Sequence, residues 1–395
     1  MANRFNVTDS PSLASPMMRG LTLSKGRRPD ADKVALPAGL RIVSADNHVG
    51  LKEDIWYEGF PEHLKDKAPR IVFDSGLWAI RMPGGPAFAE MGEDERQFFR
   101  IFESNDIAGN TNLDARMADL DIEGCAQEIV FPQMVGMFIA YPDLEVREWI
   151  FRVYNRHLAK LQAEKPGRFY GVGIPNYWDM EQTAASLAEI KALGLKTIMI
   201  PRVPGKDRNG QEIYYSAPAC KPFWDAIEAA GLPVNFHIGE GATTGGVNGW
   251  TTMVLESLDC FRRNFAQLIF GGILDRHPSL QIVFVEAGIN WVATALQDAE
   301  MMYDSFTDMF EPLPKKRPSD YWRSNCYAVF VVDTIGLKLL DYIGADRVMW
   351  SIDYPHNEST YGFSWQAIQE VLDHVSEADA RKILGDTARA LYQLD

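Results

Sequence analysis

Cysteine is scarce in this chain: Cys125, Cys220, Cys260 and Cys326 stand far apart, with no Cys-x-x-Cys among them. That spacing argues against a thiolate metal frame, and contexts such as EGCAQEIVF suggest buried, reduced thiols in a cytoplasmic protein. Long apolar runs are lacking too. The stretch from Ile129 to Tyr141 is broken by Pro132, Gln133 and Gly136, well short of the roughly 20 residues that span a bilayer. The opening MANRFNVTDSPSLASPMMRG holds no apolar segment, so neither an export signal nor a membrane partner is expected. Positive charge is in deficit: 39 Lys+Arg face 54 Asp+Glu, a formal charge of −15, which excludes a polybasic nucleic-acid binder. What remains is 46% hydrophobic and 24% charged, an ordinary globular balance able to bury a large core.

Residues 1–40, rich in Ser, Pro, Arg and Asp, keep no helical or strand period and read as an N-terminal arm. Over 41–395, short β-rich runs alternate with helical patterns. The runs are RIVSADNH (41–48), AQEIVFPQ (126–133), FYGVGIPN (169–176), KTIMIPR (196–202), PVNFHIG (233–239), QIVFVEAG (281–288), CYAVFVV (326–332) and RVMWSID (347–353). Helical patterns cover 113–123, 143–164, 179–193, 218–230, 253–276, 291–305, 334–343, 363–373 and 376–392, with residues such as Leu187, Ile190 and Leu193 forming one apolar face. Gly194 and Gly231 end two helices just ahead of a strand. Eight strand–helix repeats with near-continuous apolar strands predict an α/β fold, a (β/α)8 TIM barrel. A doubly wound open sheet fits less well, because no GxGxxG follows the first strand. Residues 49–112 form a long insertion after the first strand, with Trp56, Phe60, Trp78, Phe98, Phe99 and Phe102 available to pack as a lid or subunit contact. Its segment 90–103 is expected to be helical.

Only seven histidines occur. Asp46 and His48 close the first strand, two residues apart and therefore on one side of it. His237 closes the fifth strand, Glu286 the sixth and Asp353 the eighth, with His356 three residues further on. A barrel gathers these strand ends into one mouth. Imidazole nitrogen and carboxylate oxygen together suit a divalent ion such as Zn, Mn or Fe. His63, His157, His277 and His374 read as helix residues away from that mouth. Arg202 and Lys206, just past the fourth strand, read first as solvated loop charges and second as contacts for an anionic substrate group.

The runs SADNHV, Asp54-Ile55-Trp56 and KAPRIV, the segment RMADLDIEGCAQEIVFP, the strand FHIG, and the blocks ILDRHPSLQIVFVEAGINW and IGADRVMWSIDYPHNEST together resemble the amidohydrolase-related branch of the amidohydrolase superfamily. That branch includes aminocarboxymuconate semialdehyde decarboxylase-like metal-dependent hydrolases and decarboxylases. The resemblance covers residues 41–394 in motif order. It implies a distorted (β/α)8 barrel with a metal at its C-terminal face, held by Asp46, His48, His237 and Asp353. It also puts Glu286 where decarboxylase relatives carry a catalytic histidine, and His356 after the eighth-strand aspartate as in close relatives. Two departures stand out. The first strand offers Asp-x-His and not His-x-His, a harder donor set that favours Mn or Fe over Zn. Leu51-Lys52 stands where close relatives carry a glutamate, so one ion is expected, or two if Glu53 substitutes.

The expected function is a metal-dependent hydrolase or decarboxylase of a small carboxylate or carbonyl compound. The ion would activate water or fix a carboxylate, Glu286 would act as base or further ligand, and His356 would orient a ligand or shuttle a proton. Asp353 would serve as ligand and in catalysis. Trp250, Trp291, Tyr354 and Tyr361 are candidates to line the pocket. The alternatives are a dinuclear Fe/Mn oxygenase of the same superfamily and a one-metal, catalytically degenerate subunit paired with an active paralogue. Assembly as a homo-oligomer or with such a paralogue follows from the resemblance and the arm.

Overall fold

The computed structural model describes residues 33–74, 77–84, 107–133, 135–240, 249–258 and 261–395. Most of the arm, the segment 90–103 and Cys260 lie outside these. The strands are β1 (Ile42–Val49), β2 (Arg70–Asp74), β3 (Leu77–Arg81), β4 (Cys125–Pro132), β5 (Phe169–Gly173), β6 (Thr197–Met199), β7 (Val234–His237), β8 (Ile282–Val285), β9 (Cys326–Phe330) and β10 (Val348–Trp350). β2 and β3 form an antiparallel hairpin within the insertion. The other eight line up in the order β1-β4-β5-β6-β7-β8-β9-β10, every pairing parallel. A parallel bridge between Asn47 and Tyr354 joins the two ends of the sheet, supported by Asp353 N donating to Asp46 O (3.0 Å) and His48 N to Tyr354 O (2.6 Å). The result is a distorted (β/α)8 barrel, with each of the eight expected runs supplying one strand.

Strands such as β1 are buried along their whole length, because helices cover their outer side while side chains fill the inside. The helix Thr183–Ala192 turns Leu187 and Ile190 inward. The helix Lys221–Ala230 stops at Gly231, whose left-handed backbone (φ 68°) lets its N–H reach back to Ile227 O. Three helical expectations are corrected. The single helix over 253–276 is three, Gly249–Ser257, Arg262–Phe270 and Ile273–Arg276, the last two parted by the left-handed Gly272. The pattern over 334–343 is two short helices, Thr334–Lys338 and Leu340–Ile343. A helix at Pro318–Asn325 falls in a stretch without a helical expectation, its start favoured by proline in the first turn. Cys125, Cys220 and Cys326 are buried free thiols. No helix of the described residues is long and apolar enough to cross a membrane.

Candidate metal centre

β1 loses register with β4 between Ser44 and Asn47, the kind of irregularity that re-aims side chains. Asp46 and His48 on that stretch, His237 at the end of β7 and Glu286 just past β8 each bring a donor atom to within 4.8 Å of the others, and all four are buried. His237 sets Nε2 3.4 Å from Asp46 Oδ1 and Nδ1 3.3 Å from Glu286 Oε2. Asp353, past β10, sets Oδ1 3.3 Å from His48 Nε2 and 3.1 Å from His356 Nδ1. The His48 and His356 rings stack at 4.0 Å. The structure thus brings all six expected site residues together. A second grouping, Glu286, Asp353, His356 and Glu358, shares Glu286 with the first.

Glu286 and Asp353 adopt left-handed backbone, with φ of 75° and 62°; Gln393 is the third non-glycine residue to do so among those described. Such a conformation costs on the order of 1–3 kcal/mol for a residue with a Cβ. Two instances at one barrel mouth show a backbone held there to aim carboxylates.

The donors fit a cation. Asp46 Oδ2, His48 Nε2 and both carboxylate oxygens of Asp353 are buried and make no hydrogen bond, a state that costs free energy until a ligand satisfies it. Burial pushes Asp46 up to about 6, and burial together with the Asp353 carboxylate pushes Glu286 up to about 8. Burial and the neighbouring imidazoles of His356 and His237 hold His48 well below its ordinary value. Burial also opposes charge on His237 and His356, but carboxylates outweigh it: Asp46 and Glu286 raise His237 to about 9, and Asp353 and Glu286 raise His356 well above its usual range. This pocket gathers protons that a divalent ion can displace.

Other expectations separate cleanly. Leu51 is buried in the apolar core, and Glu53 is exposed and 3.4 Å from Lys160, so Glu53 does not stand in as a ligand. His63 is exposed beside Glu145; His277 caps the helix Ile273–Arg276 and lies 3.1 Å from Glu228. His374 ends the helix Ser364–His374, and His157 sits within Leu144–Glu164. Lys206 stays an exposed loop charge near Glu212. Arg202 does not: its backbone N donates to the Glu240 carboxylate and its guanidinium to Glu240 O, while burial pushes Glu240 up to about 8. Trp291 packs among Phe284, Phe261 and Trp322 as core. The Tyr354 hydroxyl donates to Asp119 (2.6 Å), and Tyr361 packs edge-on against its ring. The Trp250 side chain lies outside the described residues.

Sequence reasoning passes over the residues that hold this cluster. Asp333 accepts from Ile289 N (2.7 Å) and Asn290 N (2.8 Å) and, through its other oxygen, from Gly336 N (2.7 Å). It thereby fixes the turn that follows Glu286. Arg116 and Glu128 form an ion pair with no exposed surface beneath the β1 ligands. Glu128, a charge directly before the apolar run Ile129-Val130-Phe131 of that strand, is the available signal.

A family model described as amidohydrolase matches residues 142–394. The chain belongs to the amidohydrolase family. Among similar proteins, a gamma-resorcylate decarboxylase of Rhodococcus jostii (strain RHA1) is 26% identical over 65% of this chain and 80% of that protein. A 2-amino-3-carboxymuconate-6-semialdehyde decarboxylase of Dictyostelium discoideum is 25% identical over 76% of this chain and 80% of its own length. The amidohydrolase fold is shared with an amidohydrolase of Mycobacterium avium subsp. paratuberculosis K-10 (TM-score 0.71, 20% identity, 90% of this chain and 100% of that one). It is also shared with a 5-carboxyvanillate decarboxylase of Novosphingobium aromaticivorans solved with bound manganese (TM-score 0.64, 19% identity, 92% and 99%). As a member of an enzyme family with a buried metal-type cluster at the barrel mouth, the chain is an enzyme.

Proposed function

We propose that this amidohydrolase is a metal-dependent decarboxylase of a small hydroxylated aromatic carboxylate. The observation that carries the reading is the buried grouping Asp46, His48, His237 and Glu286, with Asp353 3.3 Å from His48, in which Asp46, His48 and Asp353 keep polar atoms without a hydrogen bond. The decarboxylases among its relatives supply the reaction. Asp46, His48, His237 and Asp353 would hold one divalent ion, manganese being the ion named with three of the neighbouring structures. When bound, that ion supplies positive charge to fix the carboxylated substrate and to stabilise negative charge as it develops.

The chain's own residues then handle the proton. Loss of CO2 leaves an electron pair on a ring carbon, and that carbon must take a proton in its place. Glu286 and His356 face each other across 3.7 Å at the cluster, and the proton affinity of both is raised above its ordinary value. We assign proton delivery to Glu286 and its resupply to His356. Burial keeps water from competing at this pair. The oxygen-activating alternative gains no support, because the curated relatives cited above are named for decarboxylation.

The test is CO2 release from 2,6-dihydroxybenzoate, 5-carboxyvanillate and a panel of related hydroxybenzoates, using chain reconstituted with manganese. Release that requires the metal and falls at least about 100-fold in Glu286→Gln supports the reading. A metal-loaded chain that releases no CO2 from the panel, yet hydrolyses an ester or amide, overturns it in favour of hydrolysis.

A further inference from the structure

Between the two β1 ligands stands Asn47, a residue with no chemistry of its own to offer the cluster. Its side chain is wholly buried and fully committed. Asn47 Nδ2 donates to Glu128 Oε2 at 2.6 Å. Asn47 Oδ1 accepts from Ser44 Oγ at 2.9 Å and from Tyr354 N at 2.8 Å. Glu128 on β4 is gripped in turn by Arg116, through Nε to Oε1 (2.7 Å) and Nη2 to Oε2 (2.5 Å). The remaining arm of the guanidinium, Nη1, donates to the backbone carbonyl of His48 at 2.7 Å. Its face lies over the Tyr354 ring, 4.8 Å from the centroid.

These contacts meet at the seam where the barrel closes. β1 carries Asp46 and His48; the segment after β10 carries Asp353. A single bridge at Asn47 and Tyr354 pairs the two segments, with Asp353 N donating to Asp46 O and His48 N to Tyr354 O, and just ahead of it, between Ser44 and Asn47, β1 shifts register against β4. Backbone pairing between the ligand segments is thus confined to one short contact, and a side-chain tether reinforces it. Asn47 touches Tyr354 N, one residue from Asp353, while Arg116 touches the carbonyl of His48. A bidentate guanidinium–carboxylate fork is directional, so Glu128 is fixed in angle as well as position.

We infer that Asn47, Glu128 and Arg116 are positioning residues that set the distance between the Asp46–His48 ligand pair and Asp353, and so tune ion affinity. The inference rests on the metal reading of the preceding section. None of the three belongs to the donor groupings; they act through the backbone at the ligands. Outer partners of metal ligands commonly change metal affinity by about 10–100-fold when removed, and that range sets the expectation here.

The experiment compares the full chain with Asn47→Ala and with a core control, Val292→Ala, in a helix packed outside the barrel. Asn47→Ala leaves the Arg116–Glu128 pair intact. Manganese affinity is measured by competition with a metal-sensitive dye, and the visible absorption of the cobalt-substituted proteins reports ligand geometry. At least a tenfold rise in the manganese Kd and an altered cobalt spectrum in Asn47→Ala, with both unchanged in the control, support the tether. Equal Kd and equal spectrum in Asn47→Ala and the parent overturn it while leaving the metal reading standing. A parent chain that binds neither manganese nor cobalt overturns both. Should Asn47→Ala not be recovered folded, Arg116→Lys replaces it. A lysine keeps the charge opposite Glu128 but cannot span both carboxylate oxygens and the His48 carbonyl. A weakened Kd there supports the tether, and an unchanged Kd overturns it.

Discussion

Two buried charged clusters lie back to back at the closure of this barrel, and they differ in one respect. In the Arg116–Glu128–Asn47 cluster the guanidinium donates to Glu128 and to the His48 carbonyl, and both oxygens of the Glu128 carboxylate accept. In the Asp46–His48–His237–Asp353 cluster, also buried, one oxygen of Asp46, both of Asp353 and both ring nitrogens of His48 have no hydrogen bond. Both have paid the desolvation of their charges. The first is complete as folded and is therefore structure; the second is complete only with a ligand and is therefore a site. Satisfaction, more than burial or charge, separates them.

The comparison can be broken from either side. The largest effect is expected at the unsatisfied cluster: His237→Ala should abolish stoichiometric metal binding and lower turnover at least about 1,000-fold, with unfolding by urea still cooperative. Elemental analysis and urea titration check the two halves of that statement. At the satisfied cluster the roles reverse. Glu128→Met leaves the buried Arg116 without its carboxylate and should cost about 3–5 kcal/mol of stability, whereas the double variant Arg116→Met/Glu128→Met should recover most of that loss. A double-variant cycle in urea measures the recovery.

A pH titration sharpens the contrast. Asp46 and Glu286 sit above their ordinary values, at about 6 and about 8, and His237 is raised to about 9. Groups with raised folded-state values stabilise the protein at low pH and lose that contribution as pH rises through those values. Each contribution is lost between the ordinary value and the raised one, so metal-free protein should lose stability from about pH 4 up to about pH 9. The ion replaces those protons, so binding should release protons and tighten as pH rises over the same interval. Calorimetry in buffers of different ionisation enthalpy counts the protons. The smallest effect is expected at Glu53: exposed beside Lys160, its exchange for alanine should leave metal content unchanged and stability within about 0.5 kcal/mol.

Much of this was legible in the residues. Eight apolar runs each became a strand, because strands buried on both faces leave a continuous apolar signal. The six site residues converged because each stood at the end of such a run. What was not legible came from contacts distant in sequence. Arg116, in a helical pattern, and Glu128, in a strand run, give no sign of each other until the fold puts them 2.5 Å apart. The left-handed backbone of Glu286 and Asp353 carries no local signature, since neither is glycine. The expected helix over 253–276 is broken at Gly271-Gly272, where Gly272 takes left-handed backbone.

The most direct test of the central claim is the metal content per chain of protein purified without chelator, measured beside His237→Ala. The account predicts about one divalent ion per parent chain and none in the variant. No ion in the parent, or an equal content in the variant, would contradict it.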